Sequence, residues 1–151
     1  MHIHLDRKVI SPLVLGRMID FLNRPENKKL VETIGERTLN NYCVAQAHYS
    51  WGNALDDRSM DRHVVLNLQK RVTAEFRFFK SPTTYLSFAK NIEFVWALWN
   101  FYQTGWINYP PKESRNHKLF LDYIKQTNHS RTDSRNKSPH LYQFLKQKGA
   151  I

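Results

Sequence analysis

From Val64 to Phe78 the chain alternates. The even positions Val64, Leu66, Leu68, Val72, Ala74, Phe76 and Phe78 are apolar, with Lys70 the exception. The odd positions Asn67, Gln69, Arg71, Thr73, Glu75 and Arg77 are polar, with Val65 the exception. A period of two is that of a strand with one face on a core and one polar face outward. Val64, Leu68, Val72, Phe76 and Phe79 also fall at helical spacing. Because β-branched and aromatic residues dominate the apolar set, one long strand or two short ones is the favoured reading. His2 to Val9 alternates more loosely, with Ile3 and Leu5 on one side, and reads as a further short strand.

Elsewhere the period is helical. Ser11-Pro12 supplies an N-cap and a proline in the first turn, and Leu13, Met18, Ile19, Phe21 and Leu22 form the apolar stripe behind it. Asn23-Arg24-Pro25 ends that helix. A second runs from Glu26 to Ile34, with Gly35 as a left-handed cap. Thr38 can cap a third, which Gly52-Asn53 closes, and the polar stretch Gly52 to Arg62 reads as a linker. Ser81-Pro82 opens a helical stretch to Thr104, either one helix or two with Asn91 capping the second. Its apolar residues Phe94, Val95, Leu98, Trp99, Phe101 and Tyr102 suit a core or a dimer interface. Asn108 to Pro111 is a loop, His117 to Gln126 a short helix, and Ser138-Pro139 opens a last helix that Gly149 ends. The expected fold is α+β and mostly helical. It is a single domain over residues 1–151 with one amphipathic β segment, flanking helices and a basic C-terminal helical extension over 106–151.

Composition adds limits. A chain of 151 residues allows one domain, and 41% hydrophobic residues can build its core. The single cysteine excludes an internal disulfide and a multi-cysteine zinc site. Met1 to Asp20 lacks the apolar centre of a signal peptide, and the longest apolar run, Phe94 to Trp99, is too short for a bilayer. A soluble, cytoplasmic protein without a membrane partner is expected. Charge changes the picture most. Lys and Arg number 23 against 13 Asp and Glu, a net +10, which favours a polyanionic partner, nucleic acid first. Residues 112–151 hold nine basic and three acidic residues, so a quarter of the chain carries more than half of the surplus.

The amphipathic strand followed by helical segments resembles the ribbon-helix-helix family of DNA-binding regulators. The residues that carry the likeness are the strand Val72 to Phe79, a first helix from Pro82 to about Lys90 and a second from Ile92 to Thr104. The resemblance implies a homodimer whose paired strands lie in the major groove of double-stranded DNA. It places Arg71, Thr73 and Arg77 toward base edges and the backbone amides near Asn91 on a phosphate. Glu75, in mid-ribbon, departs from it, as does the missing glycine between the helices. The N-terminal strand with the helix after Pro12 is a second candidate ribbon. In the C-terminal segment Arg115, Lys118, Arg131, Arg135 and Lys137 stand among Asn, Ser, Thr and His and suit phosphate contacts. A DNA-binding transcription regulator is the expected function, with no catalytic step, no cofactor, no metal and no small-molecule ligand. Trp96, Trp99 and Trp106 are assigned to the core.

Two other function classes stay open. Arg-x4-His occurs at Arg58…His63 and Arg135…His140, and that spacing resembles the active motif of HEPN-type ribonucleases. There the arginine would stabilise phosphate charge and the histidine move a proton. Such a motif belongs on one helix, and Pro139 interrupts the second copy. A non-catalytic protein docking on an acidic or nucleoprotein partner, as small phage and plasmid proteins do, is the third reading. His2 and His4 share a strand face but have no third metal ligand nearby, and are expected on a mobile terminus. Cys43 reads as a small core residue.

Overall fold

The alternating segment folds as two short strands. The computed structural model describes residues 1–40, 43, 45, 63–70, 72–104, 117–130 and 135–151. Its strands are β1 (Ile3–Asp6), β2 (Leu66–Asn67) and β3 (Thr73–Phe76), antiparallel throughout and in the order β1-β3-β2. The break after β2 has a local cause: Asn67 Oδ1 accepts from the Gln69 amide at 2.9 Å, a turn that takes the backbone out of the ladder. Arg7 then staples the hairpin to the end of β1. Its guanidinium donates to the Leu68 and Lys70 carbonyls at 3.2 and 3.3 Å, and its amide to the Val72 carbonyl at 2.9 Å.

Register sorts the residues by face. Ile3 pairs with Phe76, which pairs with Leu66, and Leu5 pairs with Ala74, all on the face toward the helices. His4, Glu75 and Asn67 form the matching row on the opposite face. That face is only partly solvated: His4 is exposed, but Asn67 is 5% and Glu75 7% exposed. Val72 departs in the other direction and is exposed at the hairpin. β3 has a neighbour on each edge, so the strand expected to pair with a second copy is already paired within its own chain.

Five α-helices complete the described fold: α1 (Pro12–Asn23), α2 (Lys28–Gly35), α3 (Tyr85–Gln103), α4 (His117–His129) and α5 (Pro139–Gln147). With the small sheet they make the fold α+β and mostly helical. α1 begins as its sequence dictates, with Ser11 Oγ accepting from the Val14 amide at 3.3 Å. α3 does not begin at Ser81-Pro82. Thr84 Oγ1 accepts from the Ser87 amide at 3.1 Å, so the cap lies three residues further on. From there the helix runs unbroken through Asn91.

At the end of α2 the left-handed residue is Glu36, with φ 52°, and not Gly35. Gly35 answers a different need. A Cβ there would stand 2.6 Å from the Phe78 carbonyl oxygen, and the Lys80 amide donates to the Gly35 carbonyl at 2.8 Å. The chain leaving β3 thus lies directly on the helix end, where only hydrogen fits.

The centre is aromatic. Phe21 of α1, Phe94, Phe101 and Tyr102 of α3 and Phe120 of α4 are fully buried and meet edge to face. Leu141, Phe144 and Leu145 of α5 belong to the same core, so the last two helices are part of the packed body. Buried Asn27 links distant pieces, donating to the Phe21 carbonyl at 2.9 Å and meeting His117 Nδ1 at 3.1 Å. Thr38 and Leu39 are not helical, and Asn40 makes an isolated bridge to Cys43. Cys43 and Ala45 are not helical either, so the third helix expected from sequence is absent where it is described; its other residues, the Gly52–Arg62 linker and the Asn108–Pro111 loop lie outside the described residues. No helix of the described residues is long and apolar enough to cross a membrane.

Candidate nucleic-acid interface

The residues picked for base and phosphate contacts fall into three groups. Arg71, Arg115 and Arg131 lie outside the described residues. Asn91 is buried, and Thr73 and Arg77 are half-buried. Thr73 Oγ1 is buried without a hydrogen bond, and Arg77 turns one guanidinium nitrogen toward Glu75 at 3.6 Å while its Nε is buried. Asn91 sits in the middle of α3, so its amide is spent in the helix and cannot hold a phosphate as a helix start would. Its side chain is buried as well, accepting from Lys90 Nζ at 2.7 Å and facing Met1 Sδ at 3.5 Å. Asparagine reads as a break because it is a weak helix former; here the lysine contact and the buried site override that propensity. Lys118 and Arg135 are exposed and Lys137 half-buried.

The polar face of the sheet is organised around the buried Glu75 carboxylate, with the exposed His2 and His4 at its rim. His2 Nδ1 approaches it to 2.8 Å, His4 Nε2 to 3.9 Å, Arg77 to 3.6 Å, and Asn67 Nδ2 donates to it at 3.3 Å. A carboxylate taken out of water needs such compensation. Burial lowers the pKa of His2, with Arg77 acting the same way and Glu75 opposing both. These basic groups face an internal charge, and β1 is an ordered strand paired with β3, not a mobile terminus. Among the described residues no group of three or more His, Cys, Asp or Glu is placed to hold a metal ion. Cys43 is buried, and burial pushes its thiol up to about 11 against the pull of Arg37 and Arg77. It behaves as a small core residue.

A second ionic cluster, around a buried lysine, escaped the sequence reading. Lys90 is 0% exposed. Its ammonium donates to the Ile34 carbonyl and to Asn91, lies 3.1 Å from Glu36 Oε2, and stands 4.4 Å from the centre of the Phe144 ring. Burial lowers its pKa, with Glu36 opposing. Burial would raise the Glu36 carboxyl, but hydrogen bonds from Ser87 Oγ, at 2.5 Å, and from Lys90, with the charges of Lys90 and Lys148, hold it below the ordinary glutamate range. The cluster joins the end of α2 to α3 and α5. The one sequence signal for it is spacing: Lys90 lies four residues before Phe94 on the buried side of α3.

The C-terminal cations are placed differently. Lys118, Arg135, Lys146 and Lys148 are exposed and Lys125 and Lys137 half-buried. Over residues 117–130 and 135–151 the acidic complement is Asp122 alone. α5 and the turn before it contain no acid. Its N-terminus is capped from outside, by Glu93 of α3, which accepts from the Leu141 amide at 2.8 Å and meets His140 Nδ1 at 2.5 Å. Ser138 precedes the helix without capping it. Arg135 therefore lies in a turn and His140 in the first turn of α5, on Glu93, so the two do not share a helix. Arg58 of the other Arg-x4-His copy lies outside the described residues. No protein-family model, curated protein or solved structure matches the chain.

Proposed function

We propose that the protein binds nucleic acid, with double-stranded DNA as its partner, and acts as a cytoplasmic, homodimeric transcription regulator. The observation that carries this reading is the charge of α4, the Arg135–Lys137 turn and α5, whose cations are exposed or half-buried and whose one acid is Asp122. A net +10 leaves most of the surplus unneutralised and available for counterion release on a polyanion. The sheet residues are set aside for this role, since His2, His4 and Arg77 already face Glu75. Contact passes instead to the C-terminal helices, and base reading to side chains that lie beside them.

Gel-shift affinity on genomic DNA fragments, taken at several salt concentrations, tests this. Each phosphate neutralised contributes about −0.9 to the slope of log affinity against log salt. Replacing Lys118, Arg135, Lys146 and Lys148 together by alanine is expected to flatten that slope by roughly 3 to 4, one phosphate per cation. A flat response in the parent protein, or no binding at low salt, defeats the nucleic-acid reading. An unchanged slope in the quadruple variant moves the contact away from the C-terminal helices.

A further inference from the structure

The aromatic row expected at a dimer axis is buried inside one chain: Phe94, Leu98, Phe101 and Tyr102 are all core residues. The solvent side of α3 carries a different row. Tyr85 is 72% exposed, Phe88 44%, Ile92 43% and Trp96 43%, and half-buried Trp99 continues the line with its ring centre 4.9 Å from that of Trp96. Trp96 is thus a surface residue and not the core residue its sequence context suggests.

The spacing of this row is a palindrome. Counted from Ile92, the large side chains stand at −7, −4, +4 and +7. Such positions lie on one side of a helix. We propose that α3 pairs antiparallel with α3 of a second copy of this chain, about a two-fold axis that passes beside Ile92. A two-fold interface requires a patch that is complementary to itself. Reversal about Ile92 supplies that, setting Phe88 against the partner's Trp96 and Tyr85 against the partner's Trp99, with the two Ile92 side chains meeting on the axis.

Charge selects the same occupant. Every exposed residue of α3 is uncharged: Tyr85, Phe88, Ile92, Trp96 and Gln103. Its two charged residues are withdrawn, Lys90 into the core and Glu93 onto His140 and the Leu141 amide. Two molecules of net +10 repel over most of their surfaces, and an uncharged helix face is where they approach at least cost. An acidic partner, by contrast, would find nothing to pair with on this face. Taking about 200 Å² per large side chain, the four exposed residues offer roughly 400 Å² per copy. That is about half of the ~800 Å² each partner buries in a standard interface, enough for its apolar centre. The inference rests on the homodimer of the functional reading and uses none of its DNA contacts: a monomer would remove the dimer from both, whereas loss of DNA binding would leave this interface standing.

Light scattering at micromolar concentration and above is expected to give twice the 18.0 kDa chain mass for the parent protein. Ile92→Glu and Trp96→Glu, at exposed positions that leave the core intact, are each expected to give the monomer with an unchanged circular dichroism spectrum. Ile92→Cys tests the axis itself. Packed helices 8–10 Å apart bring the two Cα atoms at the axis to roughly 4–5 Å, within disulfide range. Oxidation is expected to yield a covalent dimer of this variant, and the buried, high-pKa Cys43 to yield none in the parent. A monomeric parent overturns the proposal, and so does a dimer that persists in both glutamate variants. If the glutamates break the dimer but oxidation leaves the Ile92→Cys variant without a cross-link, the antiparallel arrangement about Ile92 is overturned.

Discussion

Phe120→Ala is expected to lower the unfolding free energy by about 3–5 kcal/mol, the range for a large aromatic removed from a packed core. Phe120 is the point at which α4 enters the aromatic centre. Its ring lies 5.4 Å from Phe21, 5.6 Å from Phe94 and 5.6 Å from Phe101, each at a steep angle. Alanine forfeits three edge-to-face contacts at once, and the surrounding rings are too rigid to close over the space. A typical domain has only about 5–15 kcal/mol to lose, so the variant will sit near the edge of folding. Urea unfolding followed by circular dichroism measures the effect. Because α4 and α5 share one core with α1 and α3, a single shifted transition is expected. A loss below about 1 kcal/mol, or a separate early transition of the C-terminal helices, would return them to the status of an appended extension.

Gly35→Ala is expected to cost about 3 kcal/mol, the upper part of the range for overpacking, although it adds one methyl group. The new Cβ would sit 2.6 Å from the Phe78 carbonyl oxygen and 2.9 Å from the Phe78 ring. A backbone oxygen cannot rotate away as a side-chain tip can. Relief by moving the two segments apart breaks the Lys80 to Gly35 hydrogen bond and disturbs Lys90, which bonds the neighbouring Ile34 carbonyl. In an unconstrained helix the same substitution would stabilise by up to about 1 kcal/mol, so the sign of the change tests the close approach directly. The measurement is the denaturation midpoint against the parent protein, and any stabilisation would refute the geometry.

Local chemistry was legible where the cause is local. The period of two around β2 and β3 and the Ser11 cap of α1 are set by residues a few positions apart, and Pro139 marks the start of α5 although its cap comes from Glu93. What the sequence hid depends on partners far along the chain. Glu75 reads as a solvent-facing strand residue, because nothing near it indicates that His2 and His4 will stand beside it. Asn91 and Lys90 read as a helix break, because their compensation comes from Ile34, Glu36 and Met1. α3 was ambiguous for another reason. Both its buried row, Phe94 to Phe101, and its exposed row, Tyr85 to Trp96, are aromatic, and a helix apolar all round does not declare which side meets the core. Of the candidate contacts, the C-terminal cations were found by charge density alone, and Lys118 and Arg135 lie on the exposed surface.

The position of β3 between β1 and β2 also fixes an order of events during synthesis. Ile3 is made long before its partner, Phe76. β1 must wait, unpaired, until β3 has followed it out, whereas β2 and β3 can close their hairpin as soon as both have emerged. Closing so long a loop is entropically slow, and the waiting strand carries Ile3 and Leu5 with no ladder to protect them. The nascent chain therefore passes through a stage with a sticky N-terminal strand, when a chaperone or a neighbouring nascent copy has its best opportunity to capture it.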